Sequence, residues 1–276
     1  MSIDDERLIN ELADAAQEAG EAILHVVRRG FEVEEKRDSS PVTDADRAAE
    51  LIILAALASA APGVPVIAEE EVAAGRIPAH SDTYFLVDPL DGTKEFVRGG
   101  DDYTVNIGLI ASGVPRLGVV YAPATGRLHG GCVGEGAWLQ ENGVRVPIAV
   151  RARAEKITAV ASKSHLTQAT IDYLEAAVGA CSYVAVGSSL KFCIVAEGEA
   201  DIYPRIGPTS EWDTAAGHAI LLAAGGLVDG PDGAPLRYGK RAFINRAFVA
   251  TSGWKAPSLA PFLEPFSGGG DIPQGV

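Results

Sequence analysis

The stretch Tyr84–Thr93, YFLVDPLDGT, decides how the rest of the chain is read. Its first four residues form an apolar run with the length and composition of a buried strand. The strand is expected to stop at Asp88-Pro89, and Asp91-Gly92 then turns the chain tightly before Thr93. Two carboxylates three positions apart are thereby left together where a buried strand runs out. At ~4 Å and an effective dielectric of ~20 they would repel by about 4 kcal/mol. Either one carboxylate is protonated or a cation sits between them, and an all-oxygen site with room for phosphate suits Mg²⁺. A polar turn that merely ends a strand is the plainer alternative for a lone DxxDG, so the remaining chain has to discriminate.

With 276 residues, 47% hydrophobic and 22% charged, the chain can bury one large core or two modest ones. A formal charge of −14 argues against nonspecific binding to nucleic acid or to anionic lipid. An anionic substrate stays compatible with that charge if metal ions invert the local field. Cys132, Cys181 and Cys193 are odd in number and lack CxxC spacing, which reads as free thiols in a reducing cytoplasm. The acidic N-terminus does not read as a signal peptide, and no apolar run reaches the ~20 residues of a membrane span. These features place the protein in the cytoplasm and leave peripheral membrane association and homodimerisation open.

Residues 5–29 carry Leu8, Leu12, Ala16, Ile23 and Val27 at near-helical spacing, an amphipathic surface helix. Thr43 and Asp46 have capping-box spacing at the head of a second helix that runs to about Ala61. On local evidence Asp46 has a structural task there. Val64–Ala68 reads as a strand, with Glu69-Glu70-Glu71 opening a loop at its end. Open α/β sheets collect ligand sites at such strand ends. Tyr103–Ala111 and Val114–Ala122 flank the hairpin signal Ser112-Gly113, and further turns extend a meander to about Val150. Beyond a polar crossing at 151–156, strands (157–161, 183–186, 200–203) alternate with helices (168–178, 188–196, 212–224). Asp213 falls in the first turn of the last helix, and Gly225-Gly226 ends it. The expected division is an N-terminal α+β subdomain (1–150), a C-terminal α/β subdomain (151–266) and a disordered tail (267–276). His129, His165 and His218 read as packing or surface residues.

Four acidic positions stand out, Glu69, Asp88, Asp91 and Asp213, with Asp46 a fifth. Their surroundings, VIAEEEVAAG, FLVDPLDGT and EWDTAAG, resemble the metal-binding motifs of the lithium-sensitive, magnesium-dependent phosphatases related to inositol monophosphatase. SPVTDAD is similar to the segment that precedes them. Within that superfamily DPLDGTKEF, YTVNIGLI, GVVYAPA, GSSLKFCIVAEGEADIYPRIGPT and WDTAAGHA resemble the bacterial 3′(2′),5′-bisphosphate nucleotidases of the CysQ type. The resemblance spans residues 30–225 in order; residues beyond about 230 add little.

The resemblance implies an α-β-α-β-α layered sandwich of two subdomains, an α/β (α+β) fold with the site at their seam. It implies two or three Mg²⁺ ions, with Li⁺ inhibitory. Glu69, Asp88 and the Leu90 carbonyl would hold one ion, and Asp88, Asp91 and Asp213 a second. The Gly92 and Thr93 amides would cradle the scissile phosphate. Glu69 and Thr93, the latter held by Asp46, would orient the attacking water. Ala68 stands where the family usually has Gly, a departure that leaves the Glu69 carboxylate in place. The implied substrate is a phosphorylated nucleotide, adenosine 3′,5′-bisphosphate, cleaved at the 3′ position in sulfur assimilation and nucleotide recycling. Lys191 and Arg205 would meet its second phosphate, unless they pair with Glu197 or Glu211 instead.

Three rivals are carried. A dehalogenase-type phosphatase needs DxDGT, and DPLDGT has one residue too many between its aspartates. An inositol or fructose phosphatase of the same superfamily shares the metal motifs and differs in the sugar contacts. A nucleotide sensor would keep the ligands without needing the water-orienting set Thr93, Glu69 and Asp46.

Overall fold

The computed structural model describes residues 4–35, 41–79, 81–162 and 166–264. The first half runs α1 (Asp5–Arg29), β1 (Val33–Glu35), β2 (Pro41–Thr43), α2 (Asp44–Ala60), β3 (Val66–Ala68), α3 (Glu69–Ala73), β4 (Thr83–Asp91), α4 (Thr93–Val97), β5 (Thr104–Ala111), β6 (Val114–Ala122), β7 (Arg127–Cys132), β8 (Gly136–Glu141) and β9 (Val144–Ile148). The second half runs β10 (Thr158–Ser162), α5 (Gln168–Val178), β11 (Ser182–Val186), α6 (Leu190–Ala196), β12 (Ile202–Ser210), α7 (Trp212–Ala223), β13 (Leu227–Asp229), β14 (Ile244–Thr251) and a 3₁₀ turn (Ala260–Phe262). His165 and the tail expected to be disordered lie outside the described residues.

Two larger sheets result, besides the β1–β2 pair. One has the order β3-β4-β5-β6-β7-β8-β9, the other β11-β10-β12-β14-β13. Alternation along β4 shows how the layers form. Phe85 and Val87 point into a core with α1 and α2, whereas Tyr84 and Leu86 point into a second core shared with α6 and α7. That second core also takes Tyr203, Phe248 and Ala250 from the smaller sheet, whose opposite face packs Ile202, Ala247 and Val249 against Tyr173 and Leu174 of α5. The architecture is therefore helices, sheet, helices, sheet, helix, the expected layered sandwich.

Several local expectations need correction. The inward residue of the last turn of α1 is Val26, 3% exposed, and not Val27, 43% exposed. The helix phase, with Ile23 inward, leaves Val27 on the rim. The β4 strand does not end at Asp88; after a register shift between Asp88 and Asp91 the ladder resumes with Asp91 opposite Thr104. This irregularity lets Pro89, which has no N–H, sit inside a strand. Glu69-Glu70-Glu71 open a short helix, since acidic residues suit a helix N-terminus. The strand expected at 200–203 continues as β12 to Ser210 because β14 pairs along it. The residues beyond 230 thus contribute an interior strand, β14, between β12 and β13.

Three glycines position α7. Gly108, Gly118 and Gly131 stand side by side across β5, β6 and β7. A Cβ on Gly118 would lie 2.5 Å from the Ala216 carbonyl oxygen, one on Gly108 2.8 Å from Ala216 N, and one on Gly131 2.7 Å from Ile220 Cα. The helix backbone therefore rests directly on the sheet, which carries Asp213, one turn earlier, toward the end of β4. Gly118→Ala is expected to destabilise the protein by about 3 kcal/mol through overpacking against backbone that cannot yield. Urea unfolding measures this, and a loss under about 0.5 kcal/mol would contradict the close approach.

A buried ion pair joins the layers on the far side. His129 Nε2 lies 2.9 Å from Glu197 Oε1, and Arg127 Nη2 lies 2.5 Å from Glu197 Oε2. Burial opposes charge on His129, but Cys193 and the Glu197 carboxylate outweigh it and push its pKa up to about 10. A histidine raised above its unfolded value of ~6.5 stabilises fully below that pH and loses its contribution as pH rises through the folded value. Unfolding free energy should then fall with pH between about 7 and 9, at up to about 1.4 kcal/mol per pH unit. His129→Gln should flatten that slope in urea titrations at successive pH; an unchanged slope would place the proton elsewhere. Among the described residues no helix is long and apolar enough to cross a membrane.

Candidate active site

The site begins with two parallel strands. β3 and β4 pair with Ala68 opposite Val87, so the next residue of each, Glu69 and Asp88, emerges at the same sheet edge. Asp88 is 2% exposed, and its Oδ1 accepts the Leu90 N–H at 3.0 Å, which folds the chain back and sets Asp91 beyond it. Gly92 then takes φ +93°, where a side chain would be strained and its Cβ would sit 2.7 Å from the Asp102 carbonyl oxygen. Only glycine fits between the two loops.

Thr93 opens α4 with its Oγ1 3.0 Å from the Leu90 carbonyl and 3.3 Å from Asp46 Oδ1. Asp46 has a second tie: its Oδ2 accepts from both Thr43 N and Thr43 Oγ1 at 2.8 Å. The capping box is therefore real, and the same carboxylate reaches Thr93 with its other oxygen.

Asp213 is held by Thr209 Oγ1 at 2.5 Å and Ser210 N at 3.0 Å, both to Oδ2. Ser189 joins it to the β4 turn. The Ser189 hydroxyl lies 2.9 Å from Asp91 Oδ2 and 2.7 Å from the Asp213 carbonyl oxygen, and Asn106 Nδ2 donates to it at 2.8 Å. Residues 91 and 213 thus meet across one hydroxyl. Ser189, Asn106 and Thr209 were missed as site residues, although all three stand inside the stretches GSSLKFC, YTVNIGLI and GPT. Residue type alone gave no reason to prefer them to neighbouring hydroxyls and amides.

Burial raises the Asp91 pKa, with Lys191, Ser189 and Asn106 pulling it back. Burial pushes Asp213 up to about 7, Asp91 and Glu69 add to the rise, and Thr209 and Ser210 oppose it. Buried carboxylates that penalise one another are a donor set that a hard cation stabilises, and every donor is oxygen. The donor types fit Mg²⁺, while no three of these carboxylates lie within 4.8 Å of one another among the described residues. The one trio of metal-type side chains within 4.8 Å of one another among the described residues is Asp5, Cys132 and Glu135, away from this edge. There Arg116 Nε already pairs with Asp5 at 2.8 Å, and burial together with Asp5 pushes the Cys132 thiol up to about 12. That trio is packing.

An open cavity is walled by Asp91, Gly92, Ser189, Lys191, Arg205 and Asp213, among others. Glu69, Asp88, Leu90, Thr93 and Asp46 stand outside that wall, linked to it through the β4 turn. The alternative partners of the two cations are engaged elsewhere: Glu197 with Arg127 and His129, Glu211 with Lys240 Nζ at 3.0 Å. Lys191 Nζ donates to the Ser188 carbonyl, and Arg205 Nη2 to the Pro208 carbonyl at 3.1 Å. His218 Nδ1 lies 3.0 Å from the Tyr238 hydroxyl, a buried contact.

The model of the inositol monophosphatase family matches residues 4–261. A 3′(2′),5′-bisphosphate nucleotidase CysQ of Salmonella typhimurium is 45% identical over 247 residues, covering 88% of this chain and 99% of that protein. Its counterpart in Escherichia coli K12 is 45% identical over 244 residues, covering 87% and 98%. The crystal structure of CysQ from Bacteroides thetaiotaomicron, a bacterial member of the same family, superposes with a TM-score of 0.74 at 37% identity, covering 89% of this chain and 97% of that one. The family match extends past residue 225 because β13 and β14 complete the smaller sheet. By fold, by the arrangement of its acidic motifs and by these matches, the chain belongs to the inositol monophosphatase family.

Proposed function

We propose that this enzyme is a 3′(2′),5′-bisphosphate nucleotidase that hydrolyses the 3′-phosphate of adenosine 3′,5′-bisphosphate to AMP and phosphate. One observation carries the substrate reading: the cavity wall holds an acidic pair, Asp91 and Asp213, together with two cations, Lys191 and Arg205. The acids suit metal-assisted phosphoryl chemistry, and the cations suit a second phosphate that the metals do not reach. The CysQ names of the relatives support the same substrate class, and we place the activity in the cytoplasm.

Glu69, Asp88 and the Leu90 carbonyl would hold one Mg²⁺, and Asp88, Asp91 and Asp213 another. When bound, the ions neutralise the phosphoryl oxygens and acidify water. The chain's own part is positioning. The single Thr93 hydroxyl proton is directed to the Leu90 carbonyl or to Asp46, which leaves the oxygen's lone pairs to accept a hydrogen bond from the attacking water. Glu69, at the head of α3, is a second acceptor for that water. The water oxygen forms the new P–O bond as the bond to O3′ breaks, and the Gly92 and Thr93 amides would face the transferring group. Phosphoryl transfer needs chiefly this alignment and charge neutralisation.

A phosphate-release panel tests the reading, with adenosine 3′,5′-bisphosphate, inositol 1-phosphate and fructose 1,6-bisphosphate at fixed Mg²⁺. The bisphosphate nucleotide should give the highest kcat/KM, chelation should abolish turnover, and millimolar or lower Li⁺ should inhibit. A preference for inositol 1-phosphate would hand the site to the sugar-phosphate branch.

A further inference from the structure

Helix α2 carries a second buried acid, one turn after Asp46, that neither the metal set nor the water-orienting set uses. Glu50 is 4% exposed, and its Oε2 accepts the backbone N–H of Glu70 at 2.9 Å, across 20 residues of chain. That amide belongs to the first turn of α3. The residue in front of the helix, Ala68, makes no side-chain cap. An exposed helix start can leave its amides to water, but here the turn is part-buried beside α2, where an amide left unpaired is costly. Glu50 supplies the missing cap from a neighbouring helix.

The consequence lies with Glu69. Its backbone is pinned on one side by the β3–β4 ladder, which ends at Ala68 opposite Val87. On the other side the next peptide N–H is held by Glu50. Asp46 and Glu50 share the buried face of α2, four residues apart, and touch the two acidic turns separately: Asp46 reaches Thr93, Glu50 reaches Glu70. We infer that Glu50 is a positioning residue: through the Glu70 amide it fixes the direction of the Glu69 carboxylate, and α2 thereby sets the spacing of the Glu69 turn and the Asp88–Thr93 turn as one rigid part. This inference rests on the reading of Glu69 as a Mg²⁺ ligand.

The bond needs only an acceptor at the end of a side chain of this length, so Gln can replace Glu and Ala cannot. Partners that orient a ligand are worth about 10–100-fold in metal affinity. Calorimetric Mg²⁺ titration of the full chain is therefore expected to show binding weakened by about 10-fold or more in Glu50→Ala. In Glu50→Gln the loss should stay within about 3-fold. Hydrogen exchange at the Glu70 amide should accelerate in the Ala variant and remain slow in the wild type and the Gln variant. If the Ala variant does not fold, the Gln variant decides: near-native affinity with a protected amide supports the inference, and a 10-fold loss overturns it by making the charge itself essential. Native Mg²⁺ binding in folded Glu50→Ala overturns the bracing alone. A wild-type protein that takes up no Mg²⁺ overturns the metal reading and the bracing with it.

Discussion

Asp213→Asn should lower Mg²⁺-dependent phosphate release from adenosine 3′,5′-bisphosphate by at least about 10³-fold while the protein stays folded. Metal charge stabilisation of a transferring phosphoryl group is worth several kcal/mol, and each 1.36 kcal/mol is a factor of ten. Asparagine keeps the shape and one oxygen to accept from Thr209 and Ser210, so the fold has no reason to fail. The metal-free proteins should differ in the opposite sense. A carboxylate whose folded pKa is raised from about 4 to about 7 weakens the fold progressively across that interval. Removing it should therefore leave the metal-free Asn variant at least as stable as the wild type at pH 7 and above. Mg²⁺ should raise the Tm of the variant less than that of the wild type, because Glu69, Asp88 and the Leu90 carbonyl keep only one of the two ions. Asp91→Asn should follow the same pattern, since burial raises that carboxyl too. Thermal melts with and without Mg²⁺, beside steady-state assays, measure both effects. Near-full activity of either variant at low Mg²⁺ would end the two-metal assignment.

The second large effect concerns the cations. Arg205→Ala and Lys191→Ala should cut kcat/KM for adenosine 3′,5′-bisphosphate by roughly 30- to 150-fold, as expected for losing one charged contact of about 2–3 kcal/mol. Adenosine 3′-monophosphate, which lacks the 5′ group, should lose far less. Lys191 is 7% exposed, and burial lowers its pKa to about 8, with Asp91 opposing the shift and Arg205 adding to it. An ammonium held so close to another cation is stabilised by an entering dianion, which a monophosphate already engaged at the carboxylates does not supply. Because Lys191 also supports Asp91, its removal should carry a common loss on both substrates, so the ratio between substrates is the decisive quantity. Arg205 is the cleaner probe. Equal losses on the two substrates would remove the second-phosphate pocket.

What the sequence by itself determined are features set by neighbours a few residues apart. The bounds of α1 at Asp5 and Arg29, the Thr43–Asp46 capping box and the Ser112-Gly113 hairpin follow from capping chemistry and turn conformation. So does the break at Asp91-Gly92, because Gly92 adopts a φ that other residues avoid. The resemblance then carried Asp213 to the other acids by analogy, with no local signal for the distance. Only the tertiary structure decided how that meeting is made: α7 lies against Gly108, Gly118 and Gly131, and the Ser189 hydroxyl spans Asp91 and Asp213. It also decided that β14 runs between β12 and β13, and that Glu50 caps a helix on which it does not sit. A glycine in a strand reads locally as a weak strand residue, and a glutamate in a helix as a solvated one. Their roles depend on which backbone arrives opposite them, and that is fixed by the packing of whole layers rather than by any residue's own preference.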